Sequence, residues 1–166
     1  MKVFNSGINV DAASATPSVF LAGPSERDDG VTAWRRKALS LFKKFGFNGH
    51  VYVPEPWSRS RDVQINWEIH HLNLAKCVLF WIPRDLKTLP GFTTNIEFGE
   101  WLHSGKVVLG FPPAAARMEY IAYRAKQNGI PVSDNLADTV KNAVVMADAN
   151  KNRQYNADFY DLGDKL

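Results

Sequence analysis

The run Cys77-Val78-Leu79-Phe80-Trp81-Ile82, bounded by Lys76 and Pro83, constrains the fold of this 166-residue chain more than any other segment. It is too short for an ordinary helix and far below the roughly 18 apolar residues that suggest a membrane span. Unbroken apolarity without alternation marks a strand covered on both faces, as in a parallel sheet flanked by helices. Ser18-Val19-Phe20-Leu21-Ala22, Val51-Tyr52-Val53 and Val107-Val108-Leu109-Gly110-Phe111 read the same way, and Gly129-Ile130-Pro131-Val132 holds a short fifth strand. Between them, Trp34, Ala38, Leu41, Phe42 and Phe45 recur at helical spacing, predicting a helix over 30–45 that ends before Gly46. Ile65, Ile69, Leu72 and Ala75 predict a second over 62–75, and three more are expected over 94–103, 115–128 and 135–149. Strands alternating with helices predict one α/β domain over 1–166, a three-layer sandwich around a mainly parallel five-stranded sheet. Residues 1–17 are expected to be partly irregular, with Lys2 to Phe4 available as an edge strand, and 150–166 form a polar, aromatic tail.

Composition narrows the function by exclusion. Twenty basic against seventeen acidic residues leave a net charge of +3, too near balance to indicate a nucleic-acid partner. Arg35, Arg36, Lys37, Lys43 and Lys44 crowd into the first helix; they read as a solvated face, with an anion or an acidic surface as the alternative. The lone Cys77 has no internal disulfide partner and sits in an apolar run, so a buried thiol in a reducing, cytoplasmic setting is expected. The first residues lack the basic, apolar and small-residue order of a secretory signal, and no membrane association is expected. There is no dinucleotide fingerprint, phosphate loop or serine-hydrolase elbow. His70 and His71 are adjacent and point apart on a helix, while His50 and His103 are isolated, so no metal and no cofactor are expected.

In an open parallel sheet the loops after the strands share one edge, and a ligand site is expected there. Those loops contain Gly23-Pro24-Ser25, Pro54-Glu55-Pro56-Trp57, Pro83-Arg84-Asp85 and the segment from Pro90 to Asn95. Within Thr93-Thr94-Asn95-Ile96-Glu97, Glu97 falls in the first turn of the predicted third helix. Thr94 as N-cap with Glu97 reaching back would make a capping box. Alternatively, the helix N-terminus would keep the Glu97 carboxylate ionised, as a nucleophile for a sugar carbon requires.

The ordered set Phe20-Leu21-Ala22-Gly23-Pro24, Trp67-Glu68, Leu74-Ala75-Lys76-Cys77, Phe80-Trp81-Ile82-Pro83 and Thr94-Asn95-Ile96-Glu97-Phe98-Gly99 resembles nucleoside 2-deoxyribosyltransferase-like proteins over about residues 18–113. The resemblance implies a flavodoxin-like or Rossmann-like fold and a Glu97 nucleophile that attacks the anomeric carbon, expels the base and leaves a glycosyl-enzyme intermediate. It places Gly23 and Pro24 at the 5′ side of the sugar and gives Asp85 the position of an acid that assists the leaving base, a loop aspartate beside Arg84 being the plain alternative. Glu68 is a candidate for a sugar hydroxyl or a salt bridge, and Asn95 for orienting Glu97 or holding the sugar. Trp57, Phe92 and Trp81 are candidate walls for the base, Trp81 doubling as core, and Arg59 and Arg61 could meet a 5′-phosphate. The aspartate that such enzymes carry between the second strand and second helix is matched only approximately by Asp62 and Glu55. In the tail, Tyr155, Asn156, Asp158 and Tyr160 are placed to complete a neighbour's site. The expected function is glycosyl transfer or hydrolysis at the N-glycosidic bond of a nucleoside or nucleotide, in a homo-oligomer with a shared active site. The alternatives are a non-catalytic nucleotide-binding module on the same fold and an interaction protein that uses the basic first helix.

Overall fold

Two strands, β2 (Ser18–Ala22) and β4 (Cys77–Trp81), lie side by side at the centre of the sheet, and every residue in both is buried. The structure, a computed structural model, describes residues 1–7, 15–25, 33–55 and 60–153. Around the central pair the order is β1-β3-β2-β4-β5-β6, where β1 is Lys2–Asn5, β3 His50–Val53, β5 Val107–Gly110 and β6 Val132–Ser133. All five pairings are parallel. Leaving β1 aside, this is the flavodoxin-type order, and its switch point lies between β2 and β4.

Side-chain alternation assigns the two helical layers. Val19, Leu21, Cys77, Leu79 and Trp81 face α1 (Ala33–Lys44) and α5 (Leu136–Ala149), where Trp34, Ala38, Phe42, Val140 and Ala143 close the core. Phe20, Ala22, Val78 and Phe80 face α2 (Arg61–Leu74), α3 (Phe92–Trp101) and α4 (Glu119–Gln127), packing with Trp67, Leu72, Phe98, Ile121 and Ala125. Burying each large apolar side chain contributes about 1.5–3 kcal/mol. A one-residue slip of β2 or β4 would exchange the faces of the whole set, so the register is strongly held.

The expected three-layer α/β sandwich around a mainly parallel sheet is borne out; among the described residues the sheet has six strands, all parallel, one more than the five expected. The added strand is β1, which pairs Lys2 with His50 through Asn5 with Val53. As an edge strand with Lys2 and Val3 exposed, it shows no continuous apolar run. The third helix begins at Phe92, two residues earlier than expected, and the fourth at Glu119, later than expected. No described helix is long and apolar enough to cross a membrane.

Lysine 106, fully buried just before β5, fixes the C-terminal end of α2. Its ammonium donates to the carbonyls of Leu72 (2.7 Å), Asn73 (3.0 Å) and Ala75 (3.0 Å). Helix C-termini leave carbonyls unpaired and carry partial negative charge, so a cation there satisfies both needs. Burial nevertheless pulls the Lys106 pKa down to about 7. Cys77 is a buried free thiol, as its apolar surroundings led us to expect.

Candidate active site

The carboxyl ends of β2, β3 and β4 converge on a cavity of about 200 Å³. Its walls come from Gly23 and Pro24 after β2, Pro54 after β3, the Thr88–Gly91 loop after β4, and side chains of α1, α2 and α3. Ligand pockets usually span about 300–1,000 Å³, so the described walls enclose part of a nucleoside-sized ligand. Gly23 sits where β2 leaves the sheet beside β4. It has φ +147°, and a Cβ there would lie 2.2 Å from the Trp81 carbonyl oxygen and 2.9 Å from the Trp34 ring. The Trp34 indole N–H donates to the Pro24 carbonyl at 3.0 Å, holding the turn from below.

Arg35 lines the cavity floor and is 1% exposed. Its Nη1 pairs with the fully buried Glu55 carboxylate at 2.6 Å and donates to Ser25 Oγ at 2.8 Å. Nε donates to the Leu21 carbonyl at 3.2 Å and Nη2 to the Gly23 carbonyl at 2.7 Å. One guanidinium thus ties α1 to the exits of β2 and β3, a geometry suited to its rigid fork of donors. Arg35 was expected on a solvated basic face. Its position three residues before Ala38 and seven before Phe42 puts it on the buried stripe of α1, a signal the sequence did contain.

Above this floor stand two carboxyls, Glu68 from α2 and Glu97 from α3, both lining the cavity. Burial, and after it the neighbouring Glu68, raises the Glu97 pKa; Arg35 pulls against the rise, Glu100 adds to it, and the net is about 8. Burial also raises Glu68, opposed by a hydrogen bond from Gln64 and by Arg35. Two half-buried carboxyls beside one already paired cation favour keeping a proton between them.

Two expectations about Glu97 are corrected. Gly91, in the left-handed conformation at φ 64°, is the N-cap of α3, and no side chain caps this end; Thr94 is inside the helix, so there is no capping box. Glu97 is on the second turn, where the helix dipole has faded, and burial favours its neutral form instead of the ionised one expected.

The remaining candidates divide by geometry. Gly23, Pro24, Glu68, Phe92 and Glu97 are brought together around the cavity, with Phe92 at its lip and 77% exposed. Asp85 is not in the wall. Its Oδ1 accepts from the Lys87 and Thr88 backbone N–H groups at 2.9 and 2.8 Å and from Thr88 Oγ1 at 3.0 Å. Those bonds hold its exposed carboxyl below the usual range. Asn95 is exposed and its Oδ1 accepts from the Arg84 guanidinium, so it is turned to the segment after β4 and not to Glu97. Arg61 is exposed at the start of α2, outside the cavity wall, and Trp81 is buried in the α1–α5 layer. Trp57, Arg59 and the tail candidates Tyr155, Asn156, Asp158 and Tyr160 lie outside the described residues. Among the described residues, no group of three or more His, Cys, Asp or Glu is placed to hold a metal ion.

No curated protein matches the sequence. The family model described as nucleoside 2-deoxyribosyltransferase like matches residues 16–115. That span runs from β2 through β5 and contains the glycine turn, Arg35, Glu55, Glu68 and Glu97, the parts that build the cavity. It covers more than half of the chain. The protein belongs to the nucleoside 2-deoxyribosyltransferase-like family.

Proposed function

We propose that the protein acts on the N-glycosidic bond of a nucleoside or nucleotide, with Glu97 as nucleophile and Glu68 as the acid. The observation that carries this reading is the pair of half-buried carboxyls lining one cavity at the switch point of the sheet. In the productive state the pair holds one proton, on Glu68. The Glu97 carboxylate forms a bond to C1′ while the C1′–N bond breaks, its electrons passing to the base. Glu68 delivers its proton to the departing base or holds a sugar hydroxyl. A nitrogen of a second base, or water, then attacks C1′, gives up its proton to the Glu68 carboxylate and expels the Glu97 carboxylate, which returns the pair to its starting state. Fixed placement of both groups on helices supplies the orientation that such a displacement needs.

The acid is assigned to Glu68 instead of Asp85 because the turn around Asp85 stabilises its ionised form. A second reading, a nucleotide-binding module without chemistry, is favoured by one fact: a Glu97 held neutral up to about pH 8 is no nucleophile in the empty site. Incubation with a panel of deoxynucleosides, ribonucleosides and their monophosphates, with chromatography for free and exchanged base, separates the two. Product formation that Glu97→Gln abolishes supports catalysis; no product from any member supports the binding module. A homo-oligomer with a shared site belongs to the same proposal. It is supported by Phe92 and Ile96, one turn apart on α3 and 77% and 64% exposed. A monomer in sedimentation equilibrium would remove it.

A further inference from the structure

Behind Glu68 lies a chain of short hydrogen bonds that leads out of the cavity to the edge of the sheet. Gln64, one turn earlier on α2 and 1% exposed, donates through Nε2 to Glu68 Oε1 at 2.6 Å and to the Pro54 carbonyl at 3.0 Å. Its own Oε1 accepts from the Ser6 hydroxyl at 2.6 Å. Ser6 directly follows β1, and the preceding residue, Asn5, donates to the Glu55 carbonyl at 2.8 Å. The Pro54 carbonyl can only accept, so the amide nitrogen of Gln64 must face it, which turns the amide oxygen to Ser6. Donors and acceptors therefore run one way, from Ser6 through Gln64 to Glu68.

We infer that Gln64 is a positioning residue of the active site: oriented by Ser6 and Pro54, its amide pins Oε1 of Glu68 and leaves Oε2 as the oxygen that meets a ligand. Strand β1, outside the matched residues 16–115, is thereby made part of the catalytic apparatus. The bond works in both protonation states. A carboxylate accepts it at either oxygen, whereas a neutral acid accepts it at the carbonyl oxygen and directs its O–H from Oε2. The charged groups facing Glu68 are Arg35 from α1, with its partner Glu55 after β3, and Glu97 from α3. None of these replaces the amide as a donor to Oε1.

The inference deepens the glycosidic-bond reading and rests on it for the chemistry, while its geometry can be tested without substrate. Protein labelled with ¹³C at the glutamate carboxyls is titrated by NMR, with the Glu68 signal assigned by its loss in Glu68→Gln. Removing a donor to the carboxylate raises its midpoint. Gln64→Leu is expected to move Glu68 upward by about one pH unit, and Ser6→Ala by on the order of a few tenths. Ser6→Ala leaves the buried amide in place and so guards against a Gln64→Leu protein that does not fold. An upward shift in Ser6→Ala supports the relay; an unchanged or lowered midpoint in that variant overturns it. Where the wild type releases base, Gln64→Leu is expected to lower kcat about tenfold with KM little changed, because a misaimed acid weakens the transition state more than binding. A wild type that releases no base overturns the glycosidic-bond reading, and a retained Glu68 shift still upholds the relay.

Discussion

Replacing Glu97 with glutamine changes one atom and removes one titration, and the structure sets how stability must respond. Below about pH 4.5 the Glu97 carboxyl carries its proton in both folded and unfolded chains, so pH has no leverage through it. Between 4.5 and about 8 the unfolded chain releases that proton while the folded chain retains it. Stability then falls as pH rises, and the loss is complete above about 8. At about 1.4 kcal/mol per pH unit, the interval amounts to on the order of 5 kcal/mol. Glu97→Gln is free of that loss. Urea denaturation of both proteins from pH 5 to pH 9 is expected to give similar stabilities at the acid end, and a variant more stable by several kcal/mol at the alkaline end. Groups common to both proteins, including Lys106 with its pKa near 7 and His71 held down to about 4 by burial, cancel in the difference. Glu68 does not cancel fully, because it loses a like-charged neighbour in the variant and ionises more readily there, which acts in the same direction as the loss of the Glu97 titration. Parallel stability curves across the range would refute the claim that Glu97 holds its proton in a half-buried site beside a second carboxyl.

The pH dependence of kcat/KM separates the roles of the pair. If Glu97 attacks while Glu68 donates, the singly protonated pair is productive, and kcat/KM falls as pH rises through about 8; a rise through the same range would mean that Glu97 acts without Glu68 as acid. Arg35→Met leaves Glu55 as an uncompensated buried charge and is expected to cost about 3–5 kcal/mol of stability, read as a lowered urea midpoint. Arg35→Met combined with Glu55→Gln should recover much of that loss, and failure to recover it would show that the carbonyl contacts of Arg35 matter more than the ion pair. Gly23→Ala places a methyl group 2.2 Å from the Trp81 carbonyl oxygen, so β2 and β4 must separate at the switch point. A loss of at least about 2 kcal/mol is expected, together with loss of any base release, and a fully stable, active variant would contradict that close approach.

Elements with one dominant periodicity were legible in advance. β4 showed itself through residues 77–82 because both of its faces are covered, and α5 through a regular apolar stripe. β1 was less evident because one edge of it faces solvent and its four residues carry no pattern of their own. In the site, the order of motifs led to Glu97 and Gly23. Local sequence did not reveal that Glu97 is neutral, since its proton affinity depends on Glu68 and Arg35, which approach from other helices. Asp85 was misjudged for a related reason. Its loop position was right, but three donors within its own turn satisfy the carboxylate that was expected to donate. Arg35 and Gln64 carry the opposite lesson: polar residues on an otherwise buried stripe mark places where the core opens onto a site.

Strand β1 pairs with β3 alone, so it is one of the two edge strands of the described sheet. Edge elements open locally at a fraction of the cost of global unfolding. Each opening of β1 withdraws Asn5 from Glu55 and Ser6 from Gln64. Amide hydrogens of β1 are therefore expected to exchange with solvent well before those of β2 and β4. The alignment of Glu68 becomes a property of peripheral fraying, and under the proposed function any partner that clamps this edge would alter turnover without touching the cavity.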